Sequence, residues 1–168
     1  MIARSLSARL AASVIAAGVL LVSATGCTLI SVQATYLPYD PADGIGADLG
    51  DVLLRDVRAV IGEDGKALAI VFTAINTSES SKTVTLSFET ANGPETQTIN
   101  VGSGKSVSVG RPGDDTEAVV LFPGPIMPGQ NFEVYAQAGS GDGVVLTIPV
   151  FDATNPAYED LAPPAIER

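Results

Sequence analysis

The chain has no histidine and only one cysteine among its 168 residues. The absence of histidine excludes the Ser-His-Asp triad, the most frequent general base and the commonest transition-metal ligand. A single thiol forms no disulfide within the chain and is too little for a cysteine-based zinc site. We therefore predict no catalytic residue, no metal ligand and no cofactor, and any hydrolytic chemistry would rest on carboxylates alone.

Positive charge is also scarce, because nine Lys and Arg residues stand against 19 Asp and Glu residues and give a net charge of −10. Nucleic-acid binding needs clustered basic side chains to neutralise phosphates, so nucleic acid is excluded as a partner. The same charge disfavours contact with a surface of anionic lipid. We interpret the excess of carboxylates as a solvated surface that keeps an exported protein soluble.

The amino end has the three-part pattern of a secretory signal peptide. Arg4 and Arg9 lead into an uncharged apolar run, residues 10–21, which is shorter than the roughly 20 residues that a bilayer-spanning helix needs. The run is followed by Ala24-Thr25-Gly26-Cys27, which resembles a bacterial lipobox. That resemblance implies a lipoprotein signal peptide over 1–26, cleavage between Gly26 and Cys27, and a diacylglyceryl group on the Cys27 thiol.

A lipidated Cys27 would hold the mature chain on the outer face of the cytoplasmic membrane, because two acyl chains anchor stably where one binds reversibly. Removal of residues 1–26 takes away two arginines and no carboxylate, so the charge changes from −10 to −12. The alternative is a secreted protein whose cysteine is incidental.

The remaining chain divides into three parts by composition. Residues 27–51 carry proline, glycine and aspartate without a sustained period and predict a tether after the lipidated cysteine, in which residues 31–37 are compatible with a peripheral strand. Residues 52–151 contain regularly spaced strand patterns. Residues 152–168 are proline-rich and predict a loosely packed tail with, at most, a short helical turn at 158–161.

The strand patterns predict an all-β domain: a single antiparallel, Ig-like, Greek-key β-sandwich of seven to nine short strands. Residues 66–75 are apolar in both alternating sets, which indicates a strand buried on both faces. Pro149 is expected to end the last strand at an edge or just outside the ladder. The predicted segments are 52–61, 66–75, 82–89, 96–101, 105–109, 117–122, 132–136 and 144–150.

Two groups of loop aspartates give weaker alternatives. Asp40, Asp43, Asp48 and Asp51 offer oxygen ligands for calcium, although the spacing of the first two does not match an EF-hand loop. Asp114 and Asp115 are adjacent carboxylates of the kind that a glycan hydrolase would need as a facing pair. We interpret all of them as solvated turn residues.

Several short motifs together resemble a known family. The lipobox, the strand Val52–Val57, the turn Pro128-Gly129-Gln130, and Ile148-Pro149-Val150 with Tyr158 beyond are similar to actinobacterial Lpq-type, LpqE-like lipoproteins and, more distantly, to the β-sandwich of PCuAC copper chaperones. The resemblance spans most of residues 33–158 and implies a lipid-anchored envelope sandwich with no established enzymatic role. Copper ligation in the chaperones uses His and Met, and this chain keeps only Met127 after export, so the copper site is not carried over.

We therefore expect a non-enzymatic envelope lipoprotein that binds, or assists, another envelope protein or a wall or lipid component. One alternative is a metal-handling module, which would bind copper if the family resemblance extends to function, or calcium if the loop aspartates act as ligands. The other is a carboxylate-dependent hydrolase. Fold class alone does not decide between them.

The position of the mature amino terminus is the first testable prediction. The intact mass of the protein purified from membranes should equal residues 27–168 plus the lipid, and Cys27→Ala should move the chain out of the membrane fraction. An unmodified terminus at another residue would contradict the lipobox.

Overall fold

The computed structural model describes residues 9–18, 40–111, 113, 114, 116 and 118–163. Residues 9–18 form an exposed helix within the expected signal peptide. No helix in the described part is both long enough and apolar enough to cross a bilayer. The chain divides into two units, Met1–Tyr39 and Asp40–Arg168. Gly26, Cys27 and the expected strand at 31–37 lie outside the described residues.

The second unit is built from strands, and the prediction of an all-β domain is confirmed. Eight of its nine strands coincide with the eight segments expected from alternation. A short 3₁₀ turn at Glu159–Leu161 follows the last strand, as expected for 158–161. The strands are β1 (Ile45–Leu49), β2 (Val52–Ile61), β3 (Leu68–Asn76), β4 (Lys82–Thr90), β5 (Gly93–Val101), β6 (Ser106–Val109), β7 (Val119–Leu121), β8 (Asn131–Ala138) and β9 (Val144–Asp152).

Strand β1 lies in the segment assigned to the tether, so the folded domain begins earlier than residue 52. Its sequence, Ile-Gly-Ala-Asp-Leu, has little alternation, and antiparallel pairing with β2 makes it a strand. The Asp40 carboxylate also accepts a 2.8 Å hydrogen bond from the Gly46 N–H, which fixes the chain just before β1.

The strands form one curled sheet in the order β5-β4-β8-β9-β2-β3-β6, with β1 added to β2 and β7 added to β3. The pairs are antiparallel except one: β9 runs parallel to β2 over three residue pairs, from Ala59↔Val150 to Ile61↔Asp152. The sheet is therefore mixed, and the expectation of a purely antiparallel sandwich is wrong in this respect, because the curl brings the last strand beside β2 in the same direction. The curl makes two walls, one of β5, β4, β8 and β9 and the other of β1, β2, β3, β6 and β7.

Apolar side chains from both walls fill the space between them. Leu54, Phe72, Leu86 and Ile148, from four different strands, are at most 1% exposed. Burial of side chains of this size contributes about 1.5–3 kcal/mol each relative to leaving them exposed. Since the domain has no disulfide, this packing is its main source of stability.

The outer face of the second wall is also covered, which accounts for the apolar residues on both faces of β3. Val71 of β3 and Val60 of β2 point away from the main core and pack with Tyr158 and Leu161 of the tail. Tyr158 is only 7% exposed. The expectation of a loosely packed tail is therefore wrong for residues 152–163, because these apolar side chains need a cover and the tail supplies it.

Pro149 lies inside β9, a central strand, and not at its end as expected. Its partner Asn131 ends the register with β8, and pairing with β2 begins one residue later at Val150. Proline therefore occupies the point where β9 changes from one neighbour to the other, where a missing N–H is best tolerated.

Candidate functional site

The four aspartates expected as a calcium alternative do not converge. Asp40 and Asp43 accept hydrogen bonds, Asp48 of β1 forms an ion pair with Arg55, and Asp51 of the β1–β2 turn forms one with Lys82. Within the described ranges no three His, Cys, Asp or Glu side chains come together as a ligand set. The contacts are Asp40 Oδ2 with Gly46 N at 2.8 Å, Asp43 Oδ2 with Tyr158 Oη at 2.6 Å, Asp48 Oδ1 with an Arg55 Nη at 2.7 Å, and Asp51 Oδ2 with Lys82 Nζ at 3.1 Å.

Of the adjacent carboxylates Asp114 and Asp115, the structure describes only Asp114. Asp114 accepts a 2.8 Å hydrogen bond from the backbone N–H of Arg111 and closes a turn. Asp115 lies outside the described residues, as do Gly26 and Cys27. The role found for Asp114 is that of a turn residue.

A partly buried ion cluster, made of Asp56, Arg58 and Arg111, was not predicted from the sequence; the Arg111 side chain is 38% exposed. Asp56 lies at a bulge in β2 with a φ of 56°, a left-handed conformation that Asp adopts more readily than most residues. Its carboxylate accepts hydrogen bonds from Arg58 at 2.9 Å, from Gly44 N–H at 3.1 Å and from Arg111. The side chains of Asp56 and Arg58 are only 16% and 12% exposed.

The ion cluster joins segments that are distant in sequence. Gly44 belongs to the start of the domain, and a Cβ there would lie 2.5 Å from the Asp56 carbonyl carbon, so only glycine fits. Arg111 comes from the loop after β6. The Nε–H groups of Arg58 and Arg111 are buried and find no partner among the described residues.

Tyr158 connects the tail to the same region. Its ring lies 5.4 Å from the Arg58 guanidinium carbon and 4.7 Å from the ring of Phe151. Its hydroxyl donates to the Asp43 carboxylate at 2.6 Å. This hydrogen bond, and then burial, raise the pKa of Tyr158 above its usual value, because both disfavour the phenolate.

A concave depression with a volume of about 560 Å³ lies at one end of the sandwich. Volumes of about 300–1,000 Å³ are typical of small-ligand sites. The β4–β5 turn is tied to the segment after β7 by a 3.0 Å hydrogen bond from Ala91 N–H to the Phe122 carbonyl. We call this feature the end depression; it is lined by Gly65, Lys66, Ala91, Asn92, Phe122, Gly124 and Pro125.

The end depression combines apolar surface with positive charge. Phe122, Pro125 and Ala91 supply the apolar contacts, Asn92 supplies an amide, and Lys66 is the one charged residue among the lining residues that the structure describes. These groups suit binding of an apolar group that carries a negative charge. In the sequence, the run 122–130 is too rich in proline for a central strand, but it does not indicate which loops it meets.

No protein-family model matches this chain, and no curated protein matches it. Among solved structures, the copper-bound PCuAC domain from PmoF2 is 15% identical, with a TM-score of 0.49 over 64% of this chain and 98% of that domain. The apo PCuAC domain from PmoF1 is 13% identical, with a TM-score of 0.48 over 64% and 99%. The exo-chitosanase CsxA of Amycolatopsis orientalis is 17% identical, with a TM-score of 0.35 over 60% of this chain and 13% of that enzyme.

The expected distant similarity to PCuAC domains is thus found at the level of structure. Membership of the Lpq-type lipoproteins is not tested by these comparisons and stays a prediction.

Neutralising Asp56 should destabilise the domain. We expect Asp56→Asn to lower the free energy of unfolding by about 2 kcal/mol, because it leaves the mostly buried Arg58 guanidinium without its counter-ion, while the 38% exposed Arg111 is partly screened by solvent. Asparagine also adopts positive φ, so backbone strain is not introduced. Urea denaturation of the full chain measures the change. The matched control Asp48→Asn breaks an exposed pair and should cost about 1 kcal/mol or less; equal costs would contradict the role of the cluster.

The stability of the domain should decline at alkaline pH through Tyr158. Its folded-state pKa lies above the unfolded value of 10.0, so its contribution is complete below pH 10 and is lost as pH rises through the folded pKa. Tyr158→Phe should make the decline above pH 10 shallower in denaturation measured at several pH values. Asp43→Asn should do the same, whereas Asp48→Asn should not. A decline that is unchanged in Tyr158→Phe would refute the assignment.

Proposed function

We propose that this chain is a lipid-anchored extracytoplasmic lipoprotein of the Lpq type that acts by binding an envelope partner and catalyses no reaction. The anchor is the diacylglyceryl group on Cys27, and its support is the lipobox after an apolar run too short to span a bilayer. The location is the outer face of the cytoplasmic membrane.

The binding role is supported by the position of the end depression, which lies among surface loops of the second unit and not inside its core. The interior is filled by side chains of both walls, several of them completely buried, such as Leu54 and Phe72. The end depression, by contrast, opens at the loops, and loops on a rigid scaffold are where binding residues concentrate. A partner would therefore be recognised at the surface.

The chemistry of the end depression restricts the kind of partner. Phe122 and Pro125 offer apolar contact to an acyl chain or an apolar side chain, and the Lys66 ammonium offers a charge-assisted contact to a carboxylate or phosphate. A wall or lipid component with an apolar body and an anionic group meets both requirements. An envelope protein that inserts such a group from its surface meets them as well.

Site-specific photo-crosslinking in intact cells tests this proposal. A photoreactive phenylalanine analogue at position 92, which lines the end depression, should give one discrete adduct. The same analogue at position 79, exposed on the loop after β3, is the matched control and should give none. The position-92 adduct should diminish when Cys27→Ala releases the chain from the membrane. Absence of any adduct at position 92, or identical adducts at both positions, would contradict binding at the end depression.

A further inference from the structure

The two walls of the sandwich differ on their outer faces. The tail covers the outer face of β2 and β3 through Tyr158 and Leu161. The outer face of β5, β4, β8 and β9 instead exposes large apolar side chains: Tyr135 is 40% exposed and Val145 is 63% exposed. Exposed apolar residues grouped on one face commonly mark an interaction surface.

These residues are neighbours across the strands. Ser87 of β4 lies opposite Tyr135 of β8, which in turn lies opposite Val145 of β9. Directly opposite side chains on one face have Cβ atoms about 4.5–5.5 Å apart, so the three form a continuous row. Together with four residues beside this row, one of them the buried Phe88, they line a shallow hollow of about 240 Å³. We call its outward-facing part the sheet platform, which is made of Ser87, Glu89, Pro94, Glu133, Tyr135 and Val145.

The Tyr135 ring is held against the sheet. Its phenol end occupies the space that a side chain on Gly143 would need, so the ring lies along the strand over that glycine. A tyrosine held in this way loses little freedom on binding, which is one reason tyrosine is frequent among the residues that dominate interface energies. Its exposed surface is available to a partner.

The charge of the sheet platform is negative. Glu89 and Glu133 are both exposed, and no Lys or Arg occupies an outward position of β5, β4, β8 or β9. The lysine of β4, Lys82, belongs to the other set of the strand and pairs with Asp51 at its end. A tyrosine with two nearby carboxylates attracts a guanidinium or ammonium group by cation–π and charge-assisted contacts together.

We propose that the sheet platform docks a basic, Arg- or Lys-containing segment of a partner protein. A second copy of this chain is the poorer occupant, because it would bring the same carboxylates face to face in a chain of net charge −10. An anionic membrane is poorer for the same reason. The sheet platform and the end depression share no lining residue, although the β4–β5 hairpin contributes to both, and neither proposal depends on the other.

Titration of the full chain with a fluorescent nonapeptide of alternating arginine and glycine tests the proposal by anisotropy. We expect saturable binding that weakens with salt and is absent for the analogue with glutamine in place of arginine. Tyr135→Ala should weaken binding about 2- to 5-fold, the loss expected for one exposed cation–π contact. Glu89→Gln with Glu133→Gln should weaken it about 10-fold, from two charge-assisted contacts.

The matched control is Glu63→Gln with Glu79→Gln, which removes the same charge from exposed positions outside the sheet platform. It should change binding less than 2-fold, because separated surface charges are screened by salt. An equal loss in the control pair, or no binding by the wild type, would overturn the proposal. Concentration-dependent dimerisation in sedimentation that Tyr135→Ala abolishes would overturn it too, since the occupant would then be a second copy.

Discussion

The architecture depends on one constraint: β3 is apolar on both faces and must be covered on both. Phe72 faces the opposite wall, and Val71 faces outward, yet both are completely buried. The first cover requires the sheet to curl until its ends oppose each other, and the second requires the tail to return over β2 and β3. Because the tail covers the outer face of β2 and β3, the outer face of the wall made of β5, β4, β8 and β9 remains exposed to solvent.

The ion cluster determines which segments meet on the covered side. Asp56 binds Arg58 of its own strand, Arg111 of a distant loop and the Gly44 N–H at the start of the domain. Ion pairs of low exposure contribute little net stability over apolar residues of the same volume, but an unmatched charge there is costly. Arrangements of these segments that separate the charges are therefore higher in free energy. The contact between Arg58 and the Tyr158 ring favours the observed position of the tail in the same way.

Sequence alternation was enough to locate eight strands, and the two apolar sets of residues 66–75 already implied a cover on each side. Which segment provides that cover was not visible, because the tail holds few apolar residues and several prolines. The ion cluster was not visible either, since Asp56 and Arg111 are 55 residues apart in sequence and a bulge sets the direction of the Asp56 side chain. The parallel β2–β9 pair could not be predicted because it depends on the curl of the whole sheet. The end depression could not be predicted because it is formed by three loops that are distant in sequence and meet only in the folded domain.

The parallel pair also affects when the domain can form. Ala59 and Val150, the first partners of β2 and β9, are 91 positions apart, so closing the two walls confines most of the domain in one loop. Contacts of such long range slow folding because chain entropy is lost before they are made. A nascent chain that emerges amino end first therefore cannot complete this sheet until β9 has been synthesised, because the strand that joins the two walls is the last one in the chain.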